Sequence, residues 1–288
     1  MKDYVICTDS GCDIRRNILE EWGVPYVELT FRFAQEDKDY TDKDIAIKDF
    51  YDRMREGSIA KTSAVNPDTF TSMFEQYISQ GKDVLYLGFS SGLSTTCNSA
   101  HIAAKELSEQ YPDNKVFVVD TLCASAGQGL LLYLVLQKKA KGYSVEEAAA
   151  YAEESKAKIC HWFTVDDLEY LKRGGRISPT VALVGNVLGV KPVLHVDNEG
   201  HLINKQKVRG RKAALRVLAE KYGELAEDVQ GGTVFICNAD CMQDVETLKD
   251  MIKEKYGAKV ELVTDIGPVI GAHAGPGTIA VFFVGKER

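Results

Sequence analysis

Residues 84–100, VLYLGFSSGLSTTCNSA, pass within a single loop from the pattern of a buried strand to that of a helix. The run VLYLGF is apolar throughout, as in a strand covered on both faces. STTCNSAHIAAKEL then opens a helix on hydroxyl residues. Gly92 lets the chain turn where a Cβ would clash. Ser90, Ser91 and Ser94 are suited to capping, and the free N–H groups of the helix's first turn face the same space. The loop is either an ordinary strand-to-helix turn or a seat for a negatively charged oxygen group.

The rest of the first half repeats this alternation. Residues 3–8 read as a strand running into the turn DSGCD, residues 24–33 as a strand or paired strands, and residues 115–120 as a further buried strand. Asp42 or Asp44 is expected to cap a helix through Tyr51 and Arg55. Thr62 and Ser63 stand in a turn before Asn66 and Pro67, a good helix start. TLCASAGQGLLLYLVLQ is apolar around most of a helical circumference, so this helix should be buried on several sides. Ser144 and Glu147 have the spacing of a capping box. Strands alternating with helices imply a parallel sheet covered on both faces.

Near residue 158 the pattern changes. A short helix over residues 166–173 stops at Gly174 and Gly175, and Pro179 is expected to start another over residues 180–188. Two alternating strands flank the turn DNEG. The expected fold is therefore α/β in two domains. Residues 1–158 form an N-terminal parallel-sheet α/β/α domain. Residues 159–288 form a C-terminal α+β domain with a mixed sheet, and the two share a cleft.

Composition narrows the function. A net charge of −7 argues against nucleic acid as the main partner, which would call for a basic face. No apolar run approaches the ~20 residues of a membrane span, and MKDYVICTDS lacks the apolar core of a signal peptide. A cytoplasmic location is expected, with transient contact at a membrane surface compatible with it. The seven cysteines include no C-x-x-C pair and read as buried thiols. His101, His161, His195 and His201 have no metal-ligand spacing and read as structural or surface residues. No phosphate-binding glycine motif supports a nucleotide cofactor.

Three segments carry candidate chemistry. GFSSG (residues 88–92) matches the nucleophile elbow of serine hydrolases, with Ser90 as nucleophile, His273 as base, and Asp120 or Asp265 as third member. DIGPVIGAHAGPG (residues 265–277) holds four glycines, two prolines and His273, and reads as a loop of close backbone approach. LKRGGRIS places Arg173 and Arg176 at a helix end, where they either complement the helix dipole or begin a basic docking patch with Arg209 and Arg211. A binder of phosphorylated small molecules at the 84–100 loop is a further alternative.

Taken together, TDSGCDI, KTSAVNP, SSGLSTTCNSA, VVDT, LEYLKRGGRI and GPVIGAHAGPG resemble, in order and spacing, the DegV family, which includes the fatty-acid-binding subunits of bacterial fatty acid kinase. The resemblance covers essentially the whole chain. It implies two α/β domains with a long-chain fatty acid such as palmitate buried between them. It also implies a carboxylate held by Thr62, Ser94 and His273, with Ser63, Ser91 and Thr95 beside them, and Thr95 stands where many relatives have glycine. Arg176 and Arg209 would contact a separate kinase subunit that converts the acid to an acyl phosphate. The protein itself would be a non-catalytic lipid carrier without metal or cofactor, and a monomer. Phe31, Phe33, Val269 and Ile270 are expected to line the tail.

Overall fold

The computed structural model of the chain describes residues 2–178 and 189–288. The first half runs β1 (Tyr4–Asp9), α1 (Arg16–Glu21), β2 (Tyr26–Val27), β3 (Thr30–Phe33), α2 (Ile47–Arg55), β4 (Ala60–Ser63), α3 (Pro67–Ile78), β5 (Asp83–Gly88), α4 (Thr96–Gln110), β6 (Val116–Asp120), α5 (Ala126–Ala140) and α6 (Val145–Ser155). The second half runs β7 (Ile159–Thr164), α7 (Glu169–Arg173), β8 (Val190–Val196), β9 (Leu202–Arg209), α8 (Arg211–Leu225), β10 (Val234–Asn238), α9 (Met242–Tyr256), β11 (Val260–Asp265), α10 (Pro268–Ala274) and β12 (Ile279–Val284). The helix expected over residues 180–188 lies outside the described residues.

The first half contains a four-stranded parallel sheet, β2-β1-β5-β6, and the second a six-stranded mixed sheet, β11-β10-β12-β7-β8-β9. This is the expected α/β class, parallel first and mixed second. Strand alternation shows why the sheets are covered on both faces. Val5 and Cys7 of β1, with Val84 and Tyr86 of β5, face α3 and α4. Ile6, Leu85 and Leu87 face the opposite way, into a core that also takes Phe235, Ala280 and Phe282 from the mixed sheet. Ile279, Val281 and Phe283 of β12 turn outward to α8 and α9.

Helix α5 lies between the two sheets and touches β5 on one side and β7, β10 and β12 on the other. Its first turns are fully buried, from Ala126 to Leu132. That is the burial its apolar circumference requires. Glycine permits the close approach. A Cβ on Gly127 would stand 2.1 Å from His161 Nε2, and one on Gly129 2.4 Å from Ile14 Cδ1.

Local signals held where the chemistry was local. Asn66 accepts from Thr69 N–H with Pro67 in the first turn of α3, and Ser144 and Glu147 form both halves of their capping box. Other readings are corrected. Neither Asp42 nor Asp44 caps α2, whose N-cap is Ala46; Asp44 accepts instead from Thr41 N–H at 2.7 Å. Thr62 and Ser63 lie on β4, paired with β3 in a separate antiparallel ribbon. Residues 268–274, expected as loop, form α10, because Pro268 suits a first turn and Gly271 lets the helix close on Tyr51 Oη, where a Cβ would stand 2.4 Å away.

Gly127→Ala should test the seating of α5. The ~1 kcal/mol that Ala would contribute in a helix interior is outweighed by overpacking against His161, about 1–3 kcal/mol. Urea unfolding should show a lower midpoint at unchanged slope. An unchanged or raised midpoint would contradict the close approach of α5 to β7.

Candidate ligand site

A cavity of about 460 Å³ opens between the residues leading into α5, the loop before α4, α10 and the inner face of the mixed sheet. Strand register shapes it. Cys237 of β10 sits opposite Ala280 of β12, which sits opposite Phe163 of β7. The two small residues leave a hollow, and Phe163, Phe282 and Phe89 wall it. Leu171, Val196, Leu202, Ile266, Val269 and Ile270 complete an apolar lining.

One part of the lining is polar. Thr62 and Ser63 arrive from β4, Ser91, Ser94 and Thr95 from the loop before α4, His273 from α10, and Arg176 from the turn after α7. Thr62 Oγ1 and His273 Nε2 are 2.8 Å apart. Ser94 Oγ accepts from Thr96 N–H at 3.2 Å and lies 2.9 Å from Thr96 Oγ1, which accepts from Val65 N–H. Ser94 is thus backed by a backbone donor and can direct its own O–H into the cavity, and Thr62 can do the same where His273 carries its proton on Nε2. Helix α4 starts at Thr96 rather than at Ser94, and its N-cap Thr95 makes no side-chain cap bond.

Arg176 supplies the charge. Its Nε and Nη2 donate to Leu93 O and its Nη1 to Gly174 O, so two of five guanidinium N–H donors have no partner among the described residues. Among the described residues, no carboxylate pairs with it and no other Lys or Arg lines the cavity. Burial pushes its pKa down. Burial, with the Arg176 charge added, lowers His273 to about 4, so the imidazole is neutral at pH 7. His273 Nδ1 is buried without a partner and faces Gly174, where a Cβ would stand 2.1 Å away.

The hydrolase arrangement is not formed. Ser90 is fully buried, and its Oγ donates to Gly200 O at 3.0 Å. Asp265 pairs with Arg15, and Asp120 accepts from Ser91 and Leu122 N–H. The Thr62–His273 pair lacks a third group on Nδ1 to orient the ring, which a nucleophile–base pair requires. Among the described residues, no cluster of His, Cys, Asp and Glu could hold a metal ion.

Other expected residues fall in different places. Val269 and Ile270 line the cavity, but Phe31 and Phe33 are fully buried in an aromatic cluster with Tyr40 and Phe50. Arg209 lies exposed on β9, the sheet's edge strand. Arg211 is held by Asp244 and Asp166. His161, expected to be merely structural, stands in the cavity wall; its Nδ1 is 2.9 Å from Ile159 O, and burial holds its pKa well down. Phe89, Phe163 and Phe282 escaped the sequence reading. Only their apolar strand patterns hinted at them, and those do not distinguish core from cavity.

The fold is α/β, and its cavity joins an apolar hollow to a hydroxyl-rich mouth that holds one cation. A family model described as "Uncharacterised protein, DegV family" matches residues 3–286. A DegV domain-containing protein of Clostridium perfringens is 45% identical over 289 residues, covering 100% of this chain and 99% of the relative. This chain belongs to the DegV family. A solved DegV family protein from Thermus thermophilus, described by its fatty acid binding, superposes with a TM-score of 0.89 at 29% identity, covering 99% of this chain and 100% of that one. A stearic-acid-binding protein from Eubacterium ventriosum superposes with a TM-score of 0.88 at 28% identity, covering 98% of each chain.

The lowered His273 pKa has a measurable sign. The unfolded chain binds the proton more readily between the ordinary histidine value of about 6.5 and the folded value. This contribution to stability is therefore full above about 6.5 and is lost as pH falls toward about 4. NMR titration of the His273 imidazole should give a midpoint near 4. A midpoint at or above the ordinary histidine value would show that the ring is open to water.

Proposed function

We propose that the cavity holds a long-chain fatty acid, its carboxylate at Arg176, Thr62 and Ser94 and its tail along Phe163, Phe282, Val269 and Ile270. The observation that carries this reading is Arg176, a half-buried cation with no counter-charge among the described residues, at the mouth of an apolar hollow. A buried carboxylate is costly unless hydrogen bonds and charge replace its water. Neutral His273 can donate through Nε2 to Thr62, which frees the Thr62 proton for the ligand. Ser63, Ser91 and Thr95 form the rim of the mouth.

The tail supplies most of the attraction. About fifteen methylenes at roughly 0.8 kcal/mol each give on the order of 12 kcal/mol before the cost of association. The polar groups then set direction more than affinity. The named ligands of the Thermus and Eubacterium proteins support the same ligand class.

In this reading, residues 1–158 and 159–288 are the two lobes that enclose the ligand. The chain is a cytoplasmic carrier that performs no reaction of its own and presents the acid to a separate kinase subunit. Arg176 faces the ligand here, which leaves exposed Arg209 as the residue for that partner. Among the described residues no helix is long and apolar enough to cross a membrane, so exchange with a bilayer would be by contact at its surface.

Arg176→Ala and Thr62→Val test the head-group assignment with a fluorescent fatty acid and the matching long-chain alcohol. Hydrogen bonds to a charged group are worth about 1.5–3 kcal/mol. Each variant should therefore bind the acid roughly ten- to a hundredfold more weakly, and Arg176→Ala should bind the alcohol as the parent does. Equal loss for acid and alcohol, or no loss for either, would contradict the assignment.

A further inference from the structure

Away from the mouth, two carboxyl groups meet over one glycine. A Cβ on Gly267 would stand 3.0 Å from Asp13 Oδ1 and 3.1 Å from Asp42 Oδ2. Both groups therefore lie close to the backbone where β11 gives way to α10. Asp13 is pinned there. Gly267 N–H donates to its Oδ1 at 2.9 Å, Ser125 Oγ donates to its Oδ2, and Thr264 Oγ1 donates to its carbonyl at 2.7 Å. Asp42 reaches the same spot from the loop between β3 and α2, and its Oδ1 is buried without a hydrogen-bond partner. Next to Gly267, Tyr51 Oη donates to Ile266 O at 2.7 Å.

Among the described residues no cation pairs with either carboxyl group. The titratable groups around it are Glu28, Tyr26, Cys12, Tyr51, Cys237 and Asp265. The basic residues closest in sequence are engaged elsewhere, Lys43 with Glu28 at 2.6 Å and Arg15 with Asp265 at 3.0 Å. Asp13 is buried and Asp42 partly so, and two ionised carboxylates in such a place would repel one another, with Asp13 desolvated as well. Burial, with Glu28 adding to it, raises Asp42 to about 7. Burial raises Asp13 further, with Asp42 and Asp265 contributing.

We propose that Asp13 and Asp42 form a proton-held latch over Gly267, closed while the pair keeps a proton and released when Asp42 ionises and its loop moves toward water. The functional consequence rests on the reading that α10, with Val269, Ile270 and His273, walls the fatty-acid cavity. Release of the loop uncovers the start of α10 and frees the ligand's wall. The raised Asp42 pKa favours the closed form on the acid side, and this contribution is lost as pH rises through about 7.

The test has a ligand-free and a ligand-bound arm. In the ligand-free protein, hydrogen-exchange protection of residues 267–274, corrected for intrinsic rates, should fall about tenfold from about pH 6 to about pH 8. In Asp42→Asn it should stay flat. With a pyrene-labelled fatty acid, the dissociation rate should rise by a similar factor in the parent and stay slow in the variant. Protection that does not change with pH in the parent, or an Asp42→Asn profile equal to the parent's, would overturn the latch. If Asp42→Asn does not fold, the parent's own profile still decides, together with Asp42→Ser. Failure of the fatty acid to bind while the protection profile still shifts would count against the ligand reading and not against the latch.

Discussion

Arg176 keeps its positive charge half-buried against two backbone carbonyls and an apolar wall, and no carboxylate of the described residues meets it. Much of the site follows from that placement. The guanidinium holds the loop before α4 by Leu93 O, and so fixes where Ser94 points. Its field adds to burial in keeping His273 neutral, which leaves Nε2 able to donate to Thr62. An arginine in this setting loses hydration on folding, and an anionic ligand restores part of it. On the proposed reading the mouth takes a single negative charge and the hollow behind it takes hydrocarbon.

The hollow in turn depends on α5. A helix apolar around its circumference can be covered by a sheet on each side; Gly127 brings it close to His161 of β7, and Gly129 to Cys12 and Ile14 after β1. The inner face of the mixed sheet is then covered by α5 over part of its width. Where Cys237 and Ala280 stand opposite each other, small side chains leave space that the helix does not fill. The interior is elsewhere close-packed, as the interlocked Phe31, Phe33, Phe50 and Tyr51 rings show.

Local chemistry was legible in the sequence. Asn66 with Pro67 and Ser144 with Glu147 each announce a helix start through atoms a few residues apart. The strand–helix alternation and the mixed second sheet were legible for the same reason, since periodicity reports which faces are covered. Residues 265–277 were misread because glycine signals a loop and a close approach equally well. Gly271 belongs to a helix pressed on Tyr51, and only tertiary contact reveals that. Phe31 and Phe33 show the same limit, since an apolar strand position does not say whether it faces a filled core or a hollow. Arg176 read as a helix-end or surface cation. Its inward turn depends on Leu93, distant in sequence. Thr62, Ser94 and His273 came from a family likeness, and their meeting at one mouth could not have been derived from spacing.

The most direct measurement is denaturing extraction of the protein purified from a bacterial host, followed by mass spectrometry of the organic phase. A fatty acid recovered in stoichiometric amount is the expected result, with the amount reduced in Arg176→Ala. An extract without fatty acid, or one carrying a polar phosphorylated metabolite in its place, would contradict a cavity that pairs hydrocarbon with a single buried charge.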